Sequence, residues 1–299
     1  MNGVFDDLIR DHELPASYLE AVEVIHRPLA RRIAALRRRL GRPIVFGLCG
    51  SQGSGKSTMA AFLAALLEKN GLPTAVLSLD DLYLTRPERE ALSRDIHPLL
   101  ITRGVPGTHD VALGLDLLDR LTKPGEALLL PRFDKAADTR APERAGAKVK
   151  APVEVVLFEG WCVGAVPQGE EALREPVNDL ERDEDADGRW RRFVNDKLKG
   201  EYARLFAAID MLALLQAPGF DAVYAWRSLQ ERKLADRLAR EGANGRGVMG
   251  PEEIRRFLTF YQRLTEHILA EMPARADIVV RLDEDHRLIG MQARSALIG

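Results

Sequence analysis

Short apolar runs recur along the chain, and segments with a helical pattern of apolar positions separate most of them. The runs lie at residues 43–49, 74–79, 127–130, 153–158, 211–216 and 277–282. Buried strands that alternate with amphipathic helices predict a mainly parallel sheet with helices on both faces. The pattern therefore predicts an α/β fold, built as a three-layer sandwich.

The same pattern divides the chain into an N-terminal extension and one larger domain. Residues 16–41 have the periodicity of an amphipathic helix, so we expect a helical extension at 1–42 and the main domain at 43–299. The segment 168–190 is acidic and weakly periodic, which favours a surface insertion over a linker between domains. The segment 224–242 is predicted to be a helix with basic residues on its early turns.

Composition and charge narrow the kinds of partner that the protein can have. The chain has 299 residues, of which 46 % are hydrophobic and 29 % charged, and its net charge is −2. That balance is ordinary for a soluble globular protein and marks the surface neither for nucleic acid nor for an anionic membrane. The five arginines from Arg31 to Arg39 could form a nucleic-acid patch, but the net charge favours a solvated helix face.

Targeting and redox signals indicate a cytoplasmic protein. No apolar stretch approaches the ~20 residues of a membrane span, and the acidic N-terminus lacks the basic start of a signal or transit peptide. Cys49 and Cys162 each lie inside an apolar run, and two cysteines cannot form a four-cysteine metal site. Buried thiols suit a reducing compartment. The sequence gives no indication of the oligomeric state.

A glycine-rich segment follows the first apolar run and precedes a helical pattern. In GSQGSGKST, four residues separate Gly50 from Gly55-Lys56-Ser57, the spacing of a phosphate-binding P-loop. Gly50, Gly53 and Gly55 permit backbone angles that side chains forbid, so successive N–H groups can surround a phosphate at the positive end of a helix. Lys56 can reach the β- and γ-phosphates, and Ser57 can bind Mg²⁺. We predict nucleotide binding by Gly50, Ser51, Gln52, Gly53, Ser54, Gly55, Lys56, Ser57 and Thr58.

Acidic residues follow two of the apolar runs, at the sheet edge where parallel strands bind ligands. Asp80, Asp81 and Tyr83 follow the second run, and Glu159 follows the fourth. A kinase for a small hydroxyl compound needs a carboxylate near the attacking oxygen and ligands for Mg²⁺. Asp80 or Asp81 can supply that carboxylate. Either can instead cap a helix, and Asp81 can also contact the substrate. Glu159 has the position of a Walker B acid, which would make it a Mg²⁺ ligand beside Ser57.

Two further segments carry basic residues that a fold role does not fully explain. In TRGVPGTHD, residues 102–110, a turn at Pro106-Gly107 and a helix cap by Asp110 or Thr108 explain those four residues. The turn and the cap do not explain Arg103 and His109, whose side chains can reach a substrate carboxylate or phosphate. Arg227 lies on an early turn of the helix at 224–242, which is either a lid that brings an arginine to the transferred phosphate or a plain charged face.

The segment PRFDKAADTR, residues 131–140, concentrates charge after an apolar run. It contains Arg132, Asp134, Lys135 and Arg140. Composition alone supports a solvated loop and a binding site equally. The position after a predicted strand favours a site, because such positions face ligands in parallel sheets.

Five motifs together resemble a known family. GSQGSGKST, LSLDDLYLT, RGVPGTHD, PRFDKAADTR and LFEGWCVG have the order and spacing seen in D-glycerate 3-kinase-like proteins. These proteins form a branch of the P-loop small-molecule kinases, with uridine kinase, phosphoribulokinase and bacterial pantothenate kinase. The resemblance runs from about residue 43 to about residue 290. It implies the P-loop NTPase version of the three-layer sandwich, ATP as donor, Mg²⁺, and phosphorylation of a small hydroxyl compound.

The resemblance also implies roles for individual residues. Asp80 matches the acidic residue that acts as base in uridine kinase-like enzymes, and Tyr83 matches an aromatic residue that contacts the substrate. Arg140 falls where those relatives carry an arginine facing the acceptor, and Arg227 lies in the matching lid helix. We expect D-glycerate as the acceptor, with uridine or pantothenate as the main alternatives. A P-loop regulator without a small acceptor is less well supported, because no N-K-x-D motif for guanine follows the later strands.

Overall fold

The parallel sheet is present in the computed structural model, which describes residues 3–142, 145–240 and 248–294. The strands are β1 (Ile44–Gly50), β2 (Thr74–Ser78), β3 (Leu128–Leu129), β4 (Phe133–Asp134), β5 (Thr139–Arg140), β6 (Lys148–Val149), β7 (Val155–Gly160), β8 (Met211–Gln216), β9 (Ile278–Leu282) and β10 (Leu288–Ala293). The main sheet has the strand order β10-β9-β8-β1-β7-β2. β10 runs antiparallel to β9, and the other neighbouring strands are parallel.

β1 lies in the middle of the sheet, with neighbours on both sides, and all of its residues are buried. Its side chains alternate between two apolar cores, since successive residues of a strand point to opposite faces. Phe46 and Leu48 belong to one core, and Val45 and Cys49 belong to the other. With helices packed on each face, the sheet forms the middle layer of a three-layer sandwich. The predicted fold class is confirmed.

The helices surround this sheet on both faces. They are α1 (Gly3–Asp11), α2 (Tyr18–Ala21), α3 (Arg27–Leu40), α4 (Lys56–Lys69), α5 (Arg86–Asp95), α6 (Val111–Thr122), α7 (Asp179–Glu184), α8 (Arg189–Lys197), α9 (Ala203–Phe206), α10 (Phe220–Arg240) and α11 (Pro251–Arg275). Single turns of π-helix lie at Val22–His26 and Leu198–Tyr202, and 3₁₀ turns lie at Leu79–Leu82, Pro98–Ile101 and Glu170–Leu173. The N-terminal helices, α4 and the start of α10 line one core, and α6, α9 and much of α11 line the other.

The N-terminal helices pack against α4 rather than project from the sandwich. The rings of Phe5 and Phe62 stack with their centroids 6.0 Å apart. Leu29 and Ile33 of α3 are completely buried in the same core. The helical character predicted for residues 16–41 is confirmed, with a π-helical turn between α2 and α3. The domain boundary at residue 42 stays a prediction.

The apolar run at 127–130 does not form a strand of the main sheet, so that expectation was wrong. Only Leu128 and Leu129 are extended, and they pair with β6 in a separate two-stranded ribbon. The reason is burial: Leu129 is 47 % exposed, whereas a central parallel strand is covered on both faces. The segment 131–140 therefore follows a peripheral ribbon and continues into a second small ribbon, β4 with β5.

The acidic segment 168–190 forms a short helical unit that is held against α11 by an ion pair. Arg263 of α11 pairs with Glu181 of α7, with N–O distances of 2.6 and 2.7 Å. The Glu181 side chain is fully buried and that of Arg263 is 9 % exposed. A second buried pair joins Arg191 of α8 to Asp185 at 3.0 Å. The unit is thus held by buried ion pairs despite its polar surface.

The helix predicted at 224–242 is part of α10 as far as Arg240. Residues 241 and 242 lie outside the described residues, as do residues 295–299 of the predicted main domain. In the described ranges, no helix is both long and apolar enough to span a membrane.

Candidate active site

The predicted phosphate loop connects the central strand to α4. β1 ends at Gly50 and α4 begins at Lys56. Gly53 and Gly55 have φ of +78° and +85°, a region that side chains rarely adopt. Gly50 does not share this property, so its predicted conformational role was wrong. It is needed for close packing, because a Cβ there would lie 2.6 Å from Ser54 Oγ and 3.0 Å from Leu215 Cβ.

The loop presents buried polar atoms that suit a bound anion. The hydroxyls of Ser51 and Ser54 are buried and have no hydrogen-bond partner within the described part of the chain. Buried polar groups are normally paired, and hydroxyls at a helix N-terminus are good donors to phosphate. The loop residues therefore fit a nucleotide phosphate. Thr58, on the first turn of α4, instead lies 3.2 Å from His12 Nδ1 of the N-terminal segment.

Glu159 and Ser57 form the part of the site that can hold a metal ion. Ser57 Oγ donates a hydrogen bond to Glu159 Oε1 at 3.0 Å. Glu159 is 4 % exposed, and its Oε2 has no partner among the described residues. Burial raises the pKa of Glu159, and the nearby Lys56 ammonium opposes that rise. A hydroxyl and a carboxylate oxygen side by side form a donor set that suits a hard divalent cation.

Asp80 lies in the 3₁₀ turn after β2, between two groups that donate to its carboxylate. Lys135 Nζ is 2.6 Å from Oδ2, and the Tyr83 hydroxyl donates to Oδ1 at 2.8 Å. Burial would raise the pKa of Asp80, but the charges of Lys135 and Lys56 and these hydrogen bonds outweigh it. They hold the pKa well below its usual range. Asp80 is therefore ionised whenever the protein is folded near neutral pH.

Asp81 has different partners from Asp80 and organises the segment 131–140. Its Oδ2 accepts a hydrogen bond from Arg132 at 2.5 Å, and its Oδ1 accepts one from the Phe133 N–H at 3.0 Å. Both carboxylate oxygens thus have protein partners. A substrate contact for Asp81 stays a prediction, and the contacts present favour a role in holding this loop beside Asp80.

Within the segment 131–140, most polar side chains are occupied by neighbours. Asp134 Oδ1 accepts from the N–H groups of Ala136 and Ala137, each at 2.9 Å, which closes the turn between β4 and β5. Arg140 donates to Asp110 Oδ2 at 2.6 Å. Asp110 also caps α6 through the Leu113 N–H at 2.9 Å, as the sequence predicted. The segment therefore lies at the site, although the strand expected before it is absent from the main sheet.

Arg103 belongs to a second cluster beside this segment. Its guanidinium pairs with Asp138 and lies 5.6 Å from the Phe133 ring centroid. Burial opposes ionisation of Asp138, but hydrogen bonds and charge from Arg89 and Arg103 lower its pKa below the usual range. Arg103 thus reaches the site already paired with a carboxylate.

His109 and Tyr83 stack in the interior of the site. Their ring centroids lie 4.8 Å apart at an interplanar angle of 27°. His109 is 3 % exposed, and burial lowers its pKa to about 4. Its Nδ1 lies 2.6 Å from the Tyr202 hydroxyl. Tyr202 comes from a helical segment that no motif marks, so nothing in the sequence pattern could have identified it.

Tyr261 of α11 is a second site residue that the sequence did not reveal. Its hydroxyl donates to the Arg103 carbonyl at 3.0 Å, and its ring packs edge-on against Trp161 with centroids 4.9 Å apart. Gly104 has φ of +130°, and a Cβ there would overlap the Tyr261 hydroxyl. The loop that carries Arg103 and His109 therefore packs closely against α11.

α10 lies across the phosphate loop and carries Arg227 to it. A Cβ on Gly53 would lie 2.9 Å from Trp226 Cβ and 3.4 Å from the Arg227 backbone nitrogen. The Arg227 guanidinium pairs with Glu231, one turn further along the helix. It also lies 5.4 Å from the Phe257 ring centroid. Arg227 is near the loop, and its contact with a transferred phosphate stays a prediction.

The turn between β9 and β10 covers the other side of the loop. His286 has φ of +66°, which is uncommon for a residue other than glycine. A Cβ on Gly55 would lie 3.5 Å from its ring, and the ring centroid is 4.8 Å from that of Trp226. The Trp226 indole N–H donates to the Glu284 carbonyl at 2.9 Å. No sequence motif predicted this turn as a neighbour of the phosphate loop.

A phosphate loop after the central strand, with Glu159 at the end of β7 and Asp80 in the turn after β2, defines a P-loop nucleotide-binding enzyme. No family model matches the chain. An uncharacterized kinase of Schizosaccharomyces pombe is 32 % identical to it over 257 residues, 81 % of this chain and 87 % of the relative. The chloroplastic D-glycerate 3-kinase of Arabidopsis thaliana is 29 % identical over 83 % of this chain. That match spans 54 % of the length of the plant enzyme.

A solved structure of a D-glycerate 3-kinase from Cryptococcus neoformans var. grubii has the same architecture. It superimposes with a TM-score of 0.75 at 26 % sequence identity, covering 91 % of this chain and 99 % of that one. The chain belongs to the D-glycerate 3-kinase-like family of P-loop small-molecule kinases. The resemblance expected from the five motifs is confirmed.

Proposed function

We propose that the protein transfers the γ-phosphoryl group of ATP to a hydroxyl group of a small hydroxy acid, most simply D-glycerate. The similarity to the plant and Cryptococcus enzymes named as D-glycerate 3-kinases supports this acceptor. The observation that carries the proposal is the placement of Asp80. It follows β2, which runs parallel to β7 and β1 and so ends at the same sheet edge as the phosphate loop, and the charge of Lys56 acts to lower its pKa. A carboxylate so placed can meet an acceptor hydroxyl beside the γ-phosphate.

The donor side of the reaction would be handled by the phosphate loop. Lys56 and the loop N–H groups would bind the β- and γ-phosphates, with Ser51, Gln52 and Ser54 completing the cradle. Ser57 and Glu159 would hold Mg²⁺ directly or through water. When bound, the ion would neutralise part of the charge that develops on the phosphates. Arg227, released from Glu231, would approach the transferred group from α10.

The acceptor side would use Asp80 to orient the hydroxyl. As the bond from the hydroxyl oxygen to phosphorus forms and the bond to the leaving ADP oxygen breaks, the hydroxyl proton passes to Asp80. A carboxylate with a lowered pKa is a weak base, so orientation contributes more than proton affinity until the oxygen becomes acidic late in the transfer. Tyr83 fixes the carboxylate through its hydrogen bond.

The basic side chains of the site do not by themselves select an anionic acceptor, because carboxylates of the protein already neutralise them. Each of the four basic side chains predicted to bind substrate has a carboxylate partner: Lys135 with Asp80, Arg132 with Asp81, Arg103 with Asp138 and Arg140 with Asp110. An acceptor carboxylate would therefore have to exchange with one of these partners. Lys135, whose side chain is 59 % exposed, is the cation best placed to do so.

An ADP-release screen tests the proposal. D-glycerate, other small hydroxy acids, uridine and pantothenate are each supplied with ATP and Mg²⁺, and Lys56→Ala serves as the control for contaminating kinases. We expect turnover with D-glycerate above all others and none with the variant. Robust activity with uridine or pantothenate and none with any hydroxy acid would replace the proposed acceptor. A cytoplasmic location also stays a prediction; it is supported by the two buried, free cysteines.

A further inference from the structure

Tyr202 is completely buried and reaches the acceptor side of the site from its π-helical turn. Its hydroxyl oxygen accepts a hydrogen bond from the Gly107 N–H at 3.0 Å and lies 2.6 Å from His109 Nδ1. The rings of Tyr202 and His109 also pack edge-on, with their centroids 5.8 Å apart. Two independent contacts therefore fix the hydroxyl against the imidazole.

These contacts determine which nitrogen of His109 carries the proton. Burial keeps the ring neutral near physiological pH, so that it holds one N–H. The Gly107 amide can only donate, which leaves the single hydroxyl hydrogen of Tyr202 for Nδ1. In the opposite arrangement, Nδ1–H would donate to Tyr202, and a completely buried hydroxyl hydrogen would have no acceptor, which is unfavourable. The geometry thus favours a proton on Nε2.

That Nε2 atom has no hydrogen-bond partner within the described ranges, although it is buried. A buried donor without a partner is uncommon in folded proteins and calls for an acceptor. The ring that carries it stacks on Tyr83, whose hydroxyl donates to Asp80 at 2.8 Å. The imidazole with the unpaired donor thus stacks on the ring of Tyr83, and the proposed hydroxyl-binding carboxylate contacts the hydroxyl of the same residue.

We propose that Tyr202 holds His109 as the Nε2–H tautomer, so that this N–H donates a hydrogen bond to the carboxylate of the acceptor. The inference rests on the proposed function, since it takes the acceptor to be a hydroxy acid. Asp80 would bind the hydroxyl end of such a molecule and His109 the acidic end. Tyr202 is a positioning residue that acts through His109, and it touches no reacting atom.

The tautomer can be measured directly in the wild-type protein. Nitrogen-15 spectra of histidine-labelled protein distinguish a protonated from an unprotonated ring nitrogen, and His109→Gln identifies the signal among the six histidines. We expect a protonated Nε2 and an unprotonated Nδ1, and in Tyr202→Phe a ring that samples both tautomers. Tyr261→Phe is the matched control, because it removes a buried hydroxyl that bonds to the same loop at Arg103. The control should leave the His109 signals unchanged.

Steady-state kinetics test the link to the acceptor. Tyr202→Phe should raise the acceptor KM about tenfold, the effect of losing one charge-assisted hydrogen bond. The kcat should change by less than about threefold and the ATP KM should stay as it is, because the donor contacts lie elsewhere. In a His109→Ala background, Tyr202→Phe should add no more than about twofold to the acceptor KM, because residues that act through one another are not additive.

The outcomes separate this inference from the proposed function. A protonated Nδ1 in the wild-type protein overturns the inference whatever the acceptor is. Additive effects of the two substitutions, or an unchanged acceptor KM, also overturn it, since they indicate a purely structural hydroxyl or an N–H that only water satisfies. Turnover of uridine with no turnover of any hydroxy acid instead overturns the proposed function, and the carboxylate contact with it. The spectra do not depend on that result.

Discussion

The Nζ atom of Lys135 lies 2.6 Å from Oδ2 of Asp80, across 55 residues of sequence. This ion pair joins a solvent-exposed loop to the turn after β2, beside the phosphate loop. It keeps the carboxylate ionised and also occupies one of its two oxygens. An acceptor that binds through that oxygen must displace the lysine, which then becomes available for the acceptor's own negative charge.

Removal of this lysine should change the pH dependence of turnover. Asp80 must be ionised to act, and its pKa is held below the ordinary 3.8, so the wild-type kcat should be flat on the acid side down to about pH 5. In Lys135→Met, burial and the loss of a neighbouring charge raise the pKa of Asp80, so activity should be lost at a higher pH as the pH falls. Lys123→Met, which removes an exposed lysine paired with Asp119, is the control. An acid limb at the same pH in both variants would contradict the argument.

Replacement of Asp80 by asparagine should mainly lower kcat, whereas replacement of Asp81 should mainly raise the acceptor KM. Asp80→Asn should lower kcat by at least about 10²-fold, the loss typical of a general base, and leave ATP affinity nearly unchanged. Asp81→Asn should instead weaken the hold on Arg132 and Phe133, and it should affect the acceptor KM more than kcat. Steady-state kinetics together with calorimetric ATP titration distinguish the two. An inactive Asp81→Asn beside an active Asp80→Asn would reverse the assignment.

Lys56→Ala should abolish turnover while the fold stays intact. The residue begins α4 at the phosphate loop and belongs to neither apolar core, so its loss removes a phosphate-directed cation without a packing change. We expect a thermal midpoint close to that of the wild type. Lys69→Ala, at the far end of the same helix, should keep normal kcat. Near-normal kcat for Lys56→Ala would mean that the loop does not bind the transferred phosphate.

Two ion pairs between α7 and α11 should contribute very differently to stability. Arg263→Ala leaves Glu181 as a fully buried charge and should lower the free energy of unfolding by about 3–5 kcal/mol. Arg256→Ala breaks the Arg256–Glu184 pair on the same two helices, where the side chains are 57 % and 41 % exposed, and should cost at most about 1 kcal/mol. Urea unfolding of both variants measures the difference. Equal losses would show that burial does not set the strength of these pairs.

The sequence predicted the parts of the site that follow from local spacing. The phosphate loop, the carboxylates after β2 and at the end of β7, and the Asp110 cap are each determined by a few adjacent residues. The loop 131–140 does lie beside Asp80, but not for the predicted reason, because the run before it contains an exposed leucine and forms only a peripheral ribbon. It is connected to the site by the long-range pairs of Lys135 with Asp80 and of Arg132 with Asp81.

The residues that the sequence did not reveal come from helices and turns with no motif. Tyr202 and Tyr261 resemble any buried aromatic residue in an amphipathic helix, and their role depends on which hydroxyl meets which backbone group. His286 reaches the phosphate loop only because β9 and β10 form a hairpin beside β8. Pairings of that kind depend on the whole topology, which the local pattern of apolar residues does not contain.

The central position of β1 has a consequence for how the protein folds while the ribosome synthesises it. β1 ends at Gly50, but its sheet neighbours are β7, which begins at Val155, and β8, which begins at Met211. At synthesis rates of about 5–20 residues per second, the first partner emerges roughly 5–20 seconds after β1 itself. Until then the strand has two unpaired edges and two apolar faces, so the nascent chain must be shielded from aggregation during that interval. The phosphate loop at the end of β1 therefore cannot take its final position until β7 has been synthesised, and a chain terminated before Val155 should not bind nucleotide.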